Sequence, residues 1–199
     1  MADTQTLVRQ KTASKAEQAG LATRRAPLAG KQGGSATVIL VPAEAASRIS
    51  LRARAEDVGA LSKGLGLALP VKPKTSATAG ERTALWLGPD EWLVIDQSGA
   101  DLVAVAASSG ALHSATDVSH RNTAVIVSGP GAAAAINSGC PQDLALAVFP
   151  VGACSRTIFG KAEIVLWRMA EDKFRVECWR SFSEYVFGLL SEGAEDAAL

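Results

Sequence analysis

The feature that most constrains the fold is a pair of apolar, strand-forming runs separated by a tight-turn sequence. In "RTALWLGPDEWLVID", residues 82–96, the two runs flank Gly-Pro-Asp, which favours a tight turn between antiparallel strands. "SRTIFGKAEIVLWR", residues 155–168, repeats the pattern around the dipeptide Gly160-Lys161. Two hairpins of this kind predict a largely antiparallel sheet.

Two further segments are typical of single strands. "RISLRAR", residues 48–54, alternates apolar and charged side chains, which predicts a strand with one apolar face and one face in water. "KFRVECW", residues 173–179, has strand composition as well. Both segments add to the sheet that the hairpins begin.

Helical signals alternate with these strands. "EDVGALSKGLG", residues 56–66, has apolar residues at helical spacing and ends in glycines, and residues 98–110 also favour a helix. "SFSEYVFGLL", residues 181–190, begins with a capping box formed by Ser181 and Glu184. The predicted fold class is therefore α+β, with a mainly antiparallel sheet and flanking helices.

The length and composition predict one globular domain preceded by a tail. The chain has 199 residues, of which 48% are hydrophobic and 20% charged, enough for a substantial core. Residues 1–34 lack helical or strand periodicity, so we expect a flexible basic tail there and a single domain over residues 35–199. The basic residues of the tail are Arg9, Lys11, Lys15, Arg24, Arg25 and Lys31.

Composition also disfavours several classes of protein. Cys140, Cys154 and Cys178 are an odd number without a C-x-x-C pair, so we expect buried, reduced thiols and no zinc site. No apolar run approaches the roughly 20 residues of a membrane span, and there is no secretory signal. The domain is acidic once the tail is set aside, which disfavours a nucleic-acid groove. We expect a cytoplasmic protein.

"AVIVSGPGAAAA", residues 124–135, invites comparison with a phosphate-binding loop. Gly129, Gly131 and Ala134 fit a relaxed G-x-G-x-x-G/A pattern after a strand. A dinucleotide site also needs a buried parallel strand and an acid about 20 residues further on, but prolines interrupt the downstream segment. We therefore interpret the segment as a plain strand-to-helix turn, with Pro130 as the first residue of the helix.

"HSATDVSH", residues 113–120, gathers residues that could carry chemistry. Ser119 and His120 are sequence neighbours whose side chains diverge in an extended segment, so they do not form a nucleophile and base. A metal site from His113, Asp117 and His120 would need a helix or a turn to bring them together, and a fourth ligand is not evident. We expect surface or turn histidines, with Asp117 capping backbone N–H groups.

The segment from "DVSH" at residue 117 to "FRVEC" at residue 178 resembles the folate-binding fold of the glycine-cleavage aminomethyltransferases. The shared pieces, in order, are the D-V-S-H strand entry, the S-G turn, a helix, a "PVG" loop, a hairpin and a final strand. With "RISLRA", "LGLALP" and "LWLGPDEWLVI" upstream, the closest resemblance is to the gamma subunits of heterotetrameric sarcosine oxidases, over roughly residues 35–190.

This resemblance implies a subunit of a larger enzyme. Its alpha, beta and delta partners would carry FAD, FMN, NAD and zinc, and tetrahydrofolate would accept the one-carbon unit. The complex would demethylate sarcosine oxidatively to glycine and release hydrogen peroxide. The resemblance places none of these cofactors on this chain.

One departure from the aminomethyltransferases bears on catalysis. Their hairpin carries a catalytic acid, whereas the hairpin here is shortened at Gly160 and its nearest acid, Glu163, lies within an apolar strand. No residue of this chain is therefore assigned a catalytic, cofactor-binding or metal-binding role. A free-standing folate-binding or aminomethyltransferase-like protein remains the alternative, and an unrelated scaffold is a third possibility.

The tryptophans leave one question open. Trp86, Trp92, Trp167 and Trp179 all fall in predicted strands, and "AEIVLWRM" gives its strand a second apolar face that needs a cover. Core packing and contact with another subunit are equally compatible with this pattern.

Overall fold

The computed structural model describes residues 26–198, in which eleven strands form two antiparallel sheets. The strands in chain order are β1 (Gly33–Gly34), β2 (Ile39–Pro42), β3 (Ser47–Ala53), β4 (Ser76–Ala79), β5 (Arg82–Gly88), β6 (Glu91–Asp96), β7 (His113–Asp117), β8 (Asn122–Ser128), β9 (Cys154–Phe159), β10 (Ala162–Ala170) and β11 (Lys173–Trp179). The six-stranded sheet has the order β1-β2-β8-β11-β10-β9, and the five-stranded sheet has the order β4-β5-β6-β3-β7.

Four α-helices cover the outer faces of these sheets within the described residues. They are α1 (Val58–Leu65), α2 (Leu102–Ala107), α3 (Ala132–Asn137) and α4 (Ser183–Asp196). Helices α3 and α4 share a buried apolar cluster with the six-stranded sheet, and α1 and α2 share a second cluster with the five-stranded sheet. The predicted α+β class with flanking helices is confirmed. None of the helices described has the length and apolar character needed to span a membrane.

The remaining faces of the two sheets pack against each other. Leu85, Leu93 and Ile95 of the five-stranded sheet form a third buried cluster with Cys154 and Val165 of the six-stranded sheet. The layers therefore run helix, sheet, sheet, helix. The second apolar face of "AEIVLWRM" is covered from within the chain by the other sheet.

The two faces of strand β11 pack against different layers of the fold. Side chains alternate across a strand, so Phe174, Val176 and Cys178 face the helices while Arg175 and Glu177 face the other sheet. All five are buried. Both faces of this strand are thus filled, one with apolar and one with charged side chains.

The hairpins and the first helix agree with the sequence analysis. Strands β5 and β6 pair across the predicted Gly-Pro-Asp turn, and β9 and β10 pair around Gly160. Helix α1 ends at Gly66, which has a positive φ of 64° and donates its N–H to the last-turn carbonyls. The helix predicted over 98–110 is confined to α2.

The predicted start of the last helix is wrong. Residues Arg180–Phe182 form a 3-10 turn, and α4 begins at Ser183 without a side-chain cap. The Ser183 hydroxyl instead donates to the Arg180 carbonyl at 2.8 Å. Ser181 therefore lies one residue before the N-cap position, which Phe182 occupies, and cannot make a capping box with Glu184.

Residues 26–34, which the sequence analysis assigned to the tail, take part in the fold. Leu28 is 1% exposed within the α3–α4 cluster, and β1 pairs with β2. Lys31 also forms an ion pair with Glu184 at 2.7 Å. The rest of the predicted tail, residues 1–25, lies outside the described residues.

The five-stranded sheet is a continuous insertion into the six-stranded sheet. Strands β2 and β8 are neighbours in the six-stranded sheet, and all of β3 to β7 lies between them in sequence. The first and last strands of the insertion pair with each other, with Ile49 opposite Asp117. The chain therefore leaves and re-enters the six-stranded sheet at neighbouring points.

Candidate functional site

The D-V-S-H segment joins the two sheets. The Asp117 carboxylate accepts the Ser119 N–H at 2.7 Å, and Ser119 Oγ accepts the Arg48 N–H at 2.8 Å. Hydrogen bonding from the Ser119 side chain and backbone N–H lowers the pKa of Asp117 below its usual value. Val118 is buried in the intersheet cluster. The predicted capping role of Asp117 is confirmed, and the Ser119 hydroxyl is committed to the backbone of β3.

The two histidines are placed apart. His113 lies on β7, where its Nδ1 donates to the Ala111 carbonyl at 2.8 Å. Ser119 and His120 lie in a turn, not in the extended segment predicted, because Asp117 caps that turn. Four residues of a strand span about 13 Å, so β7 holds His113 away from Asp117. Residues 26–198 contain no cluster of metal-ligating side chains.

The Gly-Pro-Gly segment packs against another part of the same chain. A Cβ at Gly129, whose φ is 114°, would lie 2.4 Å from the Thr37 carbonyl oxygen, and one at Gly131 would lie 2.7 Å from Thr37 Oγ1. The Gly131 N–H donates to the Thr37 carbonyl at 3.1 Å. The glycines therefore admit the backbone preceding β2, which agrees with a plain strand-to-helix turn. Pro130 lies in that turn and not at the first position of α3, which begins at Ala132.

An ion cluster centred on Glu91 links the two sheets at one point. Glu91 of β6 accepts a hydrogen bond from Arg52 at 2.9 Å, and both terminal nitrogens of Arg156, on β9 of the other sheet, reach its carboxylate. Burial raises the pKa of Glu91, but the hydrogen bonds and charges of Arg156 and Arg52 lower it more, so it lies below its usual value. Glu163 is exposed on β10 and adds negative charge beside Arg156.

A second ion cluster is fully buried. Glu177 of β11 accepts from Arg48 Nε at 2.9 Å and from Arg175 Nε at 2.7 Å, and no side chain of the three is more than 4% exposed. The expectation that the charged face of "RISLRAR" lies in water is therefore wrong for Arg48. Its partner lies 129 residues away in sequence. The one sequence signal of this cluster is that Arg175 and Glu177 are two residues apart in a predicted strand, which places their side chains on the same face.

A narrow crevice between the sheets is lined by three carboxylates. It has a volume of about 70 Å³ and is lined by Glu91, Glu163 and Glu177, together with Arg156 and Trp179. Ligand pockets usually measure roughly 300–1,000 Å³, so a flavin, a nicotinamide dinucleotide or a folate does not fit in this crevice. Each carboxylate also lies beside an arginine, which disfavours a role as a general base.

The three cysteines are buried, and two of them lie where the thiolate is disfavoured. Cys140, Cys154 and Cys178 are free and buried, which agrees with the expected reduced thiols. Burial raises the pKa of Cys154 and of Cys178 to about 12. Both therefore remain protonated at neutral pH and are poor nucleophiles and metal ligands.

The four tryptophans divide between the interior and the surface. Trp92 is fully buried and donates its indole N–H to the Pro70 carbonyl at 2.7 Å, and Trp86 and Trp167 pack at the intersheet cluster. Trp179 is different, because its side chain is 41% exposed at the end of β11. Core packing accounts for three of the four.

Trp179 lies in an open groove at the end of the six-stranded sheet. This Trp179 groove has a volume of about 480 Å³ and is lined by His120, Arg121, Trp179, Arg180 and Ser181. The Arg121 guanidinium lies 5.0 Å from the centre of the Trp179 ring, in cation–π geometry. Trp179 and His120 each stand out in the sequence, but no sequence pattern predicts that they are neighbours.

Solved structures define the class of fold. The chain superposes on aminomethyltransferase T of the glycine cleavage system from Bartonella henselae with a TM-score of 0.61 and 15% identity, over 79% of this chain and 46% of that one. At this identity the likeness concerns the fold alone. The arrangement of sheets and helices is therefore that of the aminomethyltransferase class.

Sequence relatives identify the family. The family model described as "Sarcosine oxidase, gamma subunit family" matches residues 52–196. The chain is 33% identical over 173 residues to sarcosine oxidase subunit gamma from Corynebacterium sp. (strain P-1), covering 84% of this chain and 85% of that protein. It is similar, at 25% identity and a TM-score of 0.79, to a chain of the heterotetrameric sarcosine oxidase from Corynebacterium sp. U-96, covering 88% of this chain and 97% of that one. The chain belongs to the sarcosine oxidase gamma subunit family, which confirms the resemblance seen in the sequence.

Proposed function

We propose that this chain is the gamma subunit of a heterotetrameric sarcosine oxidase and that it contributes to assembly without carrying out the chemistry. The observation that carries the proposal is that side chains fill most of the space between the two sheets. There the carboxylates that line the crevice lie beside arginines, and the crevice of about 70 Å³ is too small for a cofactor. Membership of the sarcosine oxidase gamma subunit family indicates which larger enzyme this domain would belong to.

The proposed reaction takes place in the alpha, beta and delta subunits. Sarcosine is oxidised to glycine, molecular oxygen is reduced to hydrogen peroxide, and tetrahydrofolate accepts the methyl carbon at the formaldehyde level. FAD, FMN, NAD and zinc are carried by those partners in this proposal. Three free, buried thiols agree with a reducing compartment, and we propose the cytoplasm.

Co-expression tests the subunit role. A tagged form of this chain, produced together with the other sarcosine oxidase subunits of its own organism, is expected to retain them on an affinity column in equal amounts, as measured by mass spectrometry. The same subunits produced without this chain are expected to give less assembled, active enzyme. The proposal fails if the tagged chain is recovered alone.

The fold shared with aminomethyltransferase T supplies the competing function, a free-standing folate-binding or aminomethyltransferase-like protein. That function predicts tight tetrahydrofolate binding by the chain alone. It therefore gives the opposite result in a binding experiment on the purified chain.

A further inference from the structure

The Trp179 groove combines the side chains that most often dominate protein interfaces. Trp179 and Phe182 are 41% and 40% exposed, with ring centres 6.1 Å apart, and Arg121 covers one side of the Trp179 ring. Tryptophan, tyrosine and arginine are enriched among the residues that contribute most to binding energy. An exposed tryptophan at the end of a strand whose five central residues are buried therefore points to a binding surface.

The groove is held in a fixed shape by the backbone. Arg180 donates its N–H to the Arg121 carbonyl at 2.7 Å, which extends the pairing of β8 and β11 beyond their last residues. Arg121 Nε also donates to the Asn122 side chain at 3.3 Å. A surface that is already ordered loses little conformational entropy when a partner binds.

The groove continues into a second one. His120 and Arg180 line both the Trp179 groove and an adjoining groove of about 600 Å³, which is also lined by Ala26, Pro27 and residues 43–46, so that one carboxylate, Glu44, lies in the extension. Two grooves that share a border accommodate an elongated occupant better than a compact small molecule. An extended peptide segment fits this shape.

The charge of the lining defines the chemistry of that segment. Among the described residues that line the Trp179 groove, there are two arginines and a histidine but no carboxylate. The occupant thus needs a carboxylate to meet the Arg121 guanidinium and an apolar side chain to cover the exposed indole.

We propose that the Trp179 groove and its extension bind an extended, carboxylate-bearing segment of another subunit of the oxidase. This proposal rests on the proposed function, because it assigns a place on this chain to the assembly contact. Trp179 supplies apolar area and Arg121 supplies the charge that recognises the segment.

Equilibrium binding of variants to the remaining subunits tests the proposal. The full-length chain carrying Trp179→Ala or Arg121→Glu is titrated into the purified assembly of the other subunits, and Kd is measured by calorimetry. Each change is expected to weaken binding by about thirtyfold or more, as for a residue at the centre of an interface. Arg121→Gln is expected to weaken binding less and to reduce its dependence on salt.

Matched controls separate this contact from general effects. Leu112→Ala and Arg54→Glu alter an exposed apolar and an exposed charged residue that border β7 and β3 at the ends away from the groove, and both are expected to leave Kd unchanged. Urea denaturation of each variant must show an unchanged midpoint. If wild type binds and the Trp179 and Arg121 variants bind equally well, the groove proposal fails and the subunit role stands. If wild type does not bind, the subunit role itself fails.

The same variants distinguish other occupants. Weaker binding of inorganic phosphate or of single-stranded RNA by Arg121→Glu, with subunit binding unchanged, would overturn the proposal in favour of a ligand site. An unchanged salt dependence in Arg121→Gln would also contradict the role given to carboxylates.

Discussion

At the scale of single residues, Glu177 balances two guanidinium groups in the buried space between the sheets. Arg48 reaches it from the five-stranded sheet and Arg175 from its own strand. The two buried guanidinium groups carry one more positive charge than the single carboxylate can neutralise. The arrangement therefore depends on the negative charge of Glu177. Removing one partner of a buried ion pair is far more costly than removing a surface pair.

Glu177→Gln is expected to lower the free energy of unfolding by about 3–5 kcal/mol, because it leaves two buried arginines without a counter-charge. Glu184→Gln provides the matched control, since Glu184 is 64% exposed in its pair with Lys31 and is expected to contribute less than about 1 kcal/mol. Urea denaturation measures both. Equal effects of the two variants would show that the buried cluster does not stabilise the fold.

The lowered pKa of Glu91 predicts that the folded protein is less stable at acidic pH. Burial raises its pKa, but the arginine contacts from Arg156 and Arg52 lower it more, so the folded state holds its proton less tightly than the unfolded chain does. A lowered pKa stabilises the fold above the usual value of 4.5, and this contribution is lost as the pH falls below that value. Asp96 acts in the same sense, because hydrogen bonds from Ser98 and Arg82 outweigh burial and lower its pKa.

The urea midpoint is therefore expected to fall as the pH is lowered from about 6 to about 3. Glu91→Gln should be less stable at neutral pH and should show a shallower fall, whereas Glu56→Gln, at an exposed carboxylate, should follow the wild-type curve. A slope unaffected by Glu91→Gln would contradict the assignment.

At the scale of elements, the turn between β8 and α3 depends on backbone contact with the segment before β2. Gly131→Ala places a methyl group 2.7 Å from Thr37 Oγ1 and 2.9 Å from Val38 Cγ2, and is expected to destabilise the domain by about 1–3 kcal/mol. Gly188→Ala is the control, because among the described residues, the adjacent residues and the nearby helix backbone aside, no atom lies within 4 Å of a Cβ at that position in α4. It is expected to stabilise the helix by roughly 0.5–1 kcal/mol. Thermal denaturation would contradict this account if both changes stabilised the protein.

The N-terminal segment divides into two parts with different expected effects. Deleting residues 1–25 is expected to change the free energy of unfolding by less than about 1 kcal/mol, because their sequence lacks an apolar pattern. Deleting residues 1–34 is expected to cost at least about 2 kcal/mol, because it removes Leu28 from the core. Leu28→Ala in the full chain should reproduce most of that loss. Equal stabilities of the two truncated chains would show that β1 and Leu28 contribute little.

Local signals explain which elements the sequence predicts. The Gly-Pro-Asp turn and the end of α1 at Gly66 depend on backbone geometry within a few residues, and both are found as expected. The pairing of Arg48 with Glu177 depends on how two sheets meet across 129 residues of chain, and no periodicity within β3 specifies it. The Trp179 groove was beyond prediction for the same reason, since Arg121 and Trp179 meet only through the pairing of β8 with β11.

At the scale of the whole molecule, the chain alone is expected to be colourless and inactive. It should show no flavin absorbance and no oxidation of sarcosine, and it should bind tetrahydrofolate no more tightly than the millimolar range, about 4 kcal/mol. The physical reason is that the crevice between the sheets, with a volume of about 70 Å³, leaves no room for a pterin beside its carboxylates, while the larger Trp179 groove is open and has no carboxylate among its described lining residues. Absorbance and calorimetry measure these properties, with the assembled enzyme as the positive control.

Micromolar tetrahydrofolate binding that disappears in Glu163→Gln or Asp117→Asn would contradict this prediction. It would favour the free-standing folate-binding function, because Glu163 lies at the crevice and Asp117 belongs to the D-V-S-H segment that resembles the aminomethyltransferases.

The insertion of one sheet into the other sets an order for folding during synthesis. The whole of β3 to β7 is synthesised before β8, while β2 still lacks its neighbour β8. Since β3 pairs with β7, folding of the insertion brings its ends together and removes most of the entropy cost of closing roughly eighty residues of chain between β2 and β8. The Trp179 groove is built from the ends of β8 and β11, so it forms only after β11 has been made. A partner that docks there therefore binds subunits in which β11 has been made and paired, and does not bind shorter nascent chains.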